Sequence, residues 1–210
     1  MGKLVDKLLC PVCLENFSLF PDQPEEQNIT YSKDGLYSHS LECSLPYSQC
    51  ILHEGDLEVF QVSPISPTKE LLYSVKVAET MSTSDEVPGN LIGWYMVFDE
   101  EELRDFRPCA FVPVKGGKTA GILVVRWKPC ITWDFRAAKF ISDSEQDRWC
   151  VDRIWVYAPY RHLGVATRTI EGAANFLGTK PADMGFSGPL SKEGNGLARA
   201  LCGKILHVSH

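Results

Sequence analysis

Four residues near the amino terminus have the types and spacing of a metal site. Cys10 and Cys13 form a C-x2-C knuckle, and His39 and Cys43 form an H-x3-C pair. Zinc takes four thiolate or imidazole ligands in a tetrahedron. A knuckle supplies two from a tight turn, and a pair four positions apart supplies two more from one helix face. The gap between the pairs, residues 14–38, is 25 residues long, where compact fingers use about a dozen. The polar stretch PDQPEEQN (21–28) is an exposed loop that can absorb the excess. Cys50 and His53 make a further C-x2-H pair that competes for the same role. A site with four protein ligands is closed, hence structural and not catalytic. The alternative is that these are buried free thiols, a common setting for cysteine.

A second stretch, RIWVYAPYRHLGVATRTIE (153–171), puts a strand, a basic residue and a glycine directly before a helix. A helix N-terminus presents unpaired N–H groups and the positive end of a dipole, so it suits a pyrophosphate. Gly164 lets the backbone approach closely, and Arg161 adds a charge suited to phosphate. Ala166, Ile170, Ala173 and Leu177 fall on one helical stripe that would pack on a sheet. An ordinary strand–helix turn has the same spacing.

These residues need elements to hold them. DLEVFQV (56–62) alternates as a strand, SPTKELLYSVKVAETM (66–81) reads as a helix entered at Pro67, and LIGWYMVF (91–98) as a strand. CAFVPVKGGKTAGILVVRW (109–127) is two apolar runs about a Gly-Gly turn. RWCVDRIWVY (148–157) is a strand, 161–177 a helix, SKEGNGLARALCG (191–203) a short helix ending at Gly203, and KILHV (204–208) a closing strand. Strands and helices in this order give an α/β or α+β domain.

The 210 residues suit one domain with a small appendage, and 44% apolar with 23% charged residues is ordinary globular content. A net charge of −6 argues against a nucleic-acid coat. No stretch reaches the roughly 18 apolar residues of a membrane span, so no membrane partner is expected. MGKLVDKLLCPVC resembles neither a secretory signal nor a myristoylation site. Eight cysteines in such a chain point to a reducing compartment. Cys150 and Cys202 carry no cue for activation, and GGK (116–118) is too short for a phosphate loop.

Arg161-His162-Leu163-Gly164-Val165-Ala166 resembles the R/Q-x-x-G-x-G/A signature of GCN5-related N-acetyltransferases. Arg153-Ile-Trp-Val, Ala166-Thr-Arg-x-Ile-Glu171, Gly185-Phe-Ser-Gly-Pro189 and Cys202-Gly203 resemble the sister-chromatid cohesion acetyltransferases, and so does the order of zinc finger before acetyltransferase domain. The resemblance is loose over 8–45 and better over 110–208. It implies the GCN5-related N-acetyltransferase fold: a mixed, mostly antiparallel sheet flanked by helices over 56–210, after a CCHC finger over 8–45. It implies acetyl-CoA as co-substrate, held by Trp155, Val156 and Tyr157 at the strand end and by Arg161, His162, Leu163, Gly164, Val165 and Ala166. It implies a nuclear enzyme that acetylates a lysine, with a cohesin head subunit as substrate and a chromatin-associated partner for the finger.

The resemblance also makes Glu171 the base for the substrate lysine, whose ordinary pKa near ~10.4 keeps it an ammonium. Set against this, Glu171 lies three residues from Arg168 and suits a solvated helix pair. The aspartate of the family's turn is Gly188 here, and the serine before RIWV is Asp152. Asp152 is therefore the second catalytic candidate, restoring a carboxylate from the neighbouring strand; its alternative is an ion pair with a nearby arginine. Loss of the turn aspartate also suits a protein that has kept the fold as an interaction module, or one that takes another amine.

Overall fold

The computed structural model describes residues 8–9, 16–17, 29–31, 37–39, 45–82, 104–105, 107–188 and 190–209. Two short antiparallel hairpins come first, β1 (Leu8–Leu9) with β2 (Asn16–Phe17), and β3 (Ile29–Tyr31) with β4 (Tyr37–His39). Cys10, Cys13 and Cys43, and with them the zinc reading, lie outside the described residues. His39 ends a strand, so the H-x3-C pair does not begin on a helix face as its spacing suggested. Among the described residues no cluster of His, Cys, Asp and Glu could hold a metal.

The main sheet has eight strands among the described residues. They are β5 (Cys50–Glu54), β6 (Leu57–Val62), β7 (Cys109–Lys115), β8 (Lys118–Thr119), β9 (Gly121–Asp134), β10 (Lys139–Val156), β11 (Gly185–Ser187) and β12 (Ile205–Ser209). Pairing is antiparallel along β5–β6–β7–β9–β10, and β10–β11 and β11–β12 are parallel. β12 also pairs with the far end of β9, so β9 through β12 close a ring. The sheet thus starts at Cys50, ahead of the expected boundary at 56. Cys50 and His53 belong to it: the Cys50 thiol donates to Leu52 O, and His53 pairs with Glu58 at 3.3 Å. The strand read over 91–98 lies outside the described residues.

Alternation along the strands makes two cores. Ala110, Val112, Val114, Ile122, Val124 and Trp155 face helix α1 (Thr68–Ser82) through Leu71, Val77 and Ala78. Phe111, Leu123, Val125, Val151 and Phe186 face α2 (Val165–Phe176) and α3 (Lys192–Cys202) through Ile170, Ala173, Ala174 and Ala198. Phe111 is fully buried, and Phe111→Ala would cost roughly 3–5 kcal/mol. Gly121 is needed for close approach, because a Cβ there would collide with the Trp155 carbonyl oxygen of β10. α3 ends at Gly203 (φ 68°) as its sequence suggests, and at its start Ser191 Oγ accepts from Gly194 N at 3.0 Å.

Candidate functional site

β10 and β11 part company early. Their pairing covers only Cys150↔Gly185 and Val151↔Phe186. Beyond Val151, β10 continues to Val156 with β9 on one side and, among the described residues, no strand on the other. A β-bulge falls between Val151 and Arg153, leaving Asp152 as the extra residue. Val151 and Ile154 pack on the α2–α3 face while Trp155 packs on the α1 face. Alternation from Val151 sets Asp152 on the α1 face, toward side chains of β9 that share that face with Ile122 and Val124.

Those side chains are Arg126 and Lys128. Asp152 Oδ2 is 3.2 Å from Arg126 NH1, and Oδ1 is 2.6 Å from Lys128 Nζ. Ser187 Oγ donates to the same Oδ1 at 2.8 Å. Lys128 Nζ also lies 3.3 Å from Ser187 Oγ, and the Cys150 thiol 3.5 Å from it. The three charged side chains are 10–18% exposed. Burial opposes ionisation of Asp152, but the charges of Arg126 and Lys128 and the two hydrogen bonds outweigh it, and the carboxyl is held below its usual range. Beneath this cluster two thiols meet. The bond to Cys130 lowers the Cys150 pKa, and the bond to Cys150, then burial, raises that of Cys130. Gly185 makes room for both sulfurs, since a Cβ there would stand 2.5 Å from Cys130 Sγ and 3.3 Å from Cys150 Sγ.

At the far end of β10 the expected helix entrance is present. The chain turns through a 3-10 segment (Ala158–Tyr160) and a turn, then enters α2. Gly164 caps the helix at φ 78°, and the space where its Cβ would stand is open. Arg168 N closes the first turn on Gly164 O, leaving the earlier N–H groups of Val165 and Ala166 facing forward. His162 also has a positive φ, 62°, and Leu163 is 58% exposed. The helix begins later than its sequence suggests because this turn intervenes. Arg161 Nε donates to Val156 O at 2.9 Å, clipping the turn to the strand end. Trp155 and Tyr157 stack edge to face at 4.8 Å, and the buried Trp155 indole N–H meets no acceptor among the described residues.

The structure brings Asp152 and the cofactor stretch to one strand but does not bring Glu171 to Asp152. Glu171 lies on α2, which covers the other face of the sheet. Arg168 NH1 donates to it at 3.0 Å, and Arg168 also pairs with Glu54 of β5 at 3.4 Å. The helix next to it packs on Leu52. Of the two readings open for Asp152, the pairing with an arginine is present. Gly188 is exposed, with open space at its Cβ position. Sequence reasoning missed Arg126, Lys128 and Ser187. Two cations in register with the apolar Ile122 and Val124 were the available signal.

No family model matches the sequence, and no curated protein does. Solved structures do. The xEco2 acetyltransferase domain bound to a K105-CoA conjugate superposes with a TM-score of 0.62 at 17% identity, covering 78% of this chain and 98% of that one. The xEco2 acetyltransferase domain by itself gives 0.59 at 18% identity, over 77% and 95%. The chain shares the fold of that domain.

Proposed function

We propose that this protein is an acetyl-CoA-dependent N-acetyltransferase that modifies a lysine of a protein substrate. The observation that carries the reading is the closeness, along the last stretch of β10, of a carboxylate at a strand split to the glycine-led helix N-terminus that follows the strand. Acetyl-CoA would set its pyrophosphate before Gly164, Val165 and Ala166. Its pantetheine would run along β10 beyond Val151, where among the described residues no strand pairs on its second side. The thioester would then reach Asp152 and Ser187. There the acceptor ammonium would give one proton to water, the neutral amine would attack the carbonyl carbon as the C–S bond breaks, and its second proton would leave on the sulfur of coenzyme A. Asp152 holds the amine and Ser187 fixes the carboxylate. The similar xEco2 domain, in its complex with a K105-CoA conjugate, supports a lysine acceptor.

The finer reading extends this to a nuclear enzyme of sister-chromatid cohesion, with a cohesin head subunit as substrate. The resemblance of the RIWV, helix and Cys-Gly motifs supports it. Zinc bound by Cys10, Cys13, His39 and Cys43 would steady the amino-terminal hairpins; three thiolates and an imidazole are a donor set suited to it. Metal analysis should return about one zinc per chain, lost on Cys10→Ser.

The deciding experiment measures thiol release from acetyl-CoA with a cohesin-head lysine peptide, with a polyamine and with no acceptor. Peptide-dependent release supports the reading, and release only with the polyamine transfers it to a small amine. Tight acetyl-CoA binding without release under any condition points to the interaction module that Gly188 favours.

A further inference from the structure

The turn between β7 and β8 is too short to cradle a phosphate in its backbone, but it sets two lysines in an unusual place. Gly116 and Gly117 have φ of 58° and 74°, the left-handed pair that a two-residue hairpin turn takes. Lys115 and Lys118 stand directly opposite each other across it, and like charges so placed destabilise a ladder. One carboxylate, that of Asp56, pairs with Lys115, and Gly116 N donates to Asp56 O at 2.8 Å. Among the described residues Lys118 has no ion-pair partner, and it is half-buried.

Register decides where this charge stands. Cys109 and Phe111 of β7 belong to the core under α2 and α3, so alternation puts Lys115, and Lys118 opposite it, on that same face. Leu57 is in register with Lys115, and Leu57 and Ala120 pack with Val165, the first residue of α2. Tyr157 N, just past the end of β10, donates to Ala120 O at 2.8 Å. The lysine turn and the glycine-led start of α2 thus share one face and one end of the sheet. The neighbouring acids of β5 and β6 are engaged elsewhere: Glu54 pairs with Arg168, and Glu58 with His53.

We propose that Lys118 binds the ribose 3′-phosphate of coenzyme A and makes the protein prefer coenzyme A to 3′-dephospho-coenzyme A. The inference rests on the acetyl-transfer reading and adds a specificity residue to it. The forward-facing N–H groups of Val165 and Ala166 serve the pyrophosphate. The 3′-phosphate is the remaining anion of the cofactor, carried on the ribose that the pyrophosphate joins. A lysine meets a phosphate as a point charge and needs no fixed fork geometry, so it suits a group held at the margin of the site. The bound dianion also offsets the repulsion between Lys115 and Lys118, which the rigid turn imposes on the empty protein.

The test titrates the full chain with coenzyme A and with 3′-dephospho-coenzyme A by calorimetry. The wild type should bind coenzyme A about tenfold more tightly. Lys118→Gln should weaken coenzyme A by about that factor and leave the dephospho form within about twofold, erasing the preference. Lys139→Gln, at the far tip of the β9–β10 hairpin, should change neither affinity. Equal binding of the two forms by the wild type overturns the proposal and leaves the acetyltransferase reading standing. So does a preference that survives in Lys118→Gln, an equal loss of both forms in that variant, or the same loss in Lys139→Gln. Binding of neither form by the wild type overturns both readings. The comparison of two cofactors uses the unaltered protein, so it decides even where Lys118→Gln does not fold.

Discussion

Ser187 donates a 2.8 Å hydrogen bond to Asp152 across the point where β10 and β11 separate. The bond joins Asp152, where this chain departs from the family it resembles, to the residue beside Gly188, where it departs again. A carboxylate stands before RIWV where the family has a serine, and a serine stands beside the Gly188 that replaces the family's aspartate. A carboxylate and a hydroxyl are thus paired across the split, with the carboxylate on β10. A serine next to the lost aspartate, on the strand that runs parallel to β10, brings this about.

The Asp152 cluster should dominate acid stability. Its carboxyl lies below the ordinary range in the folded protein. Its ion pairs therefore contribute fully above the unfolded value near ~3.9 and are lost as pH falls through the lower folded value. Urea unfolding of the wild type should show a midpoint that drops in this acid window. Asp152→Asn should flatten that limb and cost roughly 3–5 kcal/mol at neutral pH by leaving two half-buried cations unopposed. An unchanged acid limb in the variant would place the stabilising titration elsewhere.

Gly164→Ala should separate conformation from space. The site of a Cβ is open, but φ is 78°, so the cost is backbone strain of about 1–2 kcal/mol. Relaxing that strain would re-aim the N–H groups of Val165 and Ala166. Calorimetric titration should show acetyl-CoA affinity falling about tenfold, in line with that energy. Equal affinity in the variant would remove the helix N-terminus from the binding site.

Glu171→Gln deletes the carboxylate that Arg168 holds opposite Glu54. Stability should change by about 0.5 kcal/mol or less, as for an exposed helix pair. The resemblance, which makes Glu171 the proton acceptor, requires turnover to fall about 100-fold or more. The geometry sets Glu171 on the helix over the other sheet face and requires a change within about threefold. We expect the second result from steady-state thiol release.

Gly185→Ala should strain the base of the site. The new methyl would meet the Cys130 and Cys150 sulfurs, and overpacking of this kind costs about 1–3 kcal/mol. A thermal melt should show the loss, and Gly185→Ala with Cys130→Ala should recover part of it. Failure of the double variant to recover would assign the cost to the β10–β11 backbone pairing.

Local pattern was enough for much of this molecule. Alternation in 57–62, 109–115 and 121–125, the Gly-Gly turn at 116–117, the Ile170, Ala173 and Leu177 members of the helical stripe, and the stop at Gly203 are short-range consequences of residue type. So is the glycine before α2, whose positive φ a side chain would resist. Neither β11 nor the long β9–β10 hairpin was legible. Three residues carry no periodicity, and the polar outer half of the hairpin is held by its neighbours, β12 and β11. The chemistry of Asp152 was the tertiary structure's decision. Alternation sets the carboxylate on one face of β10, but only the pairing of β10 with β9 and β11 brings Arg126, Lys128 and Ser187 to that face. Those partners lie 24 to 35 positions away along the chain. Pairing of strands alone brings them within hydrogen-bonding reach.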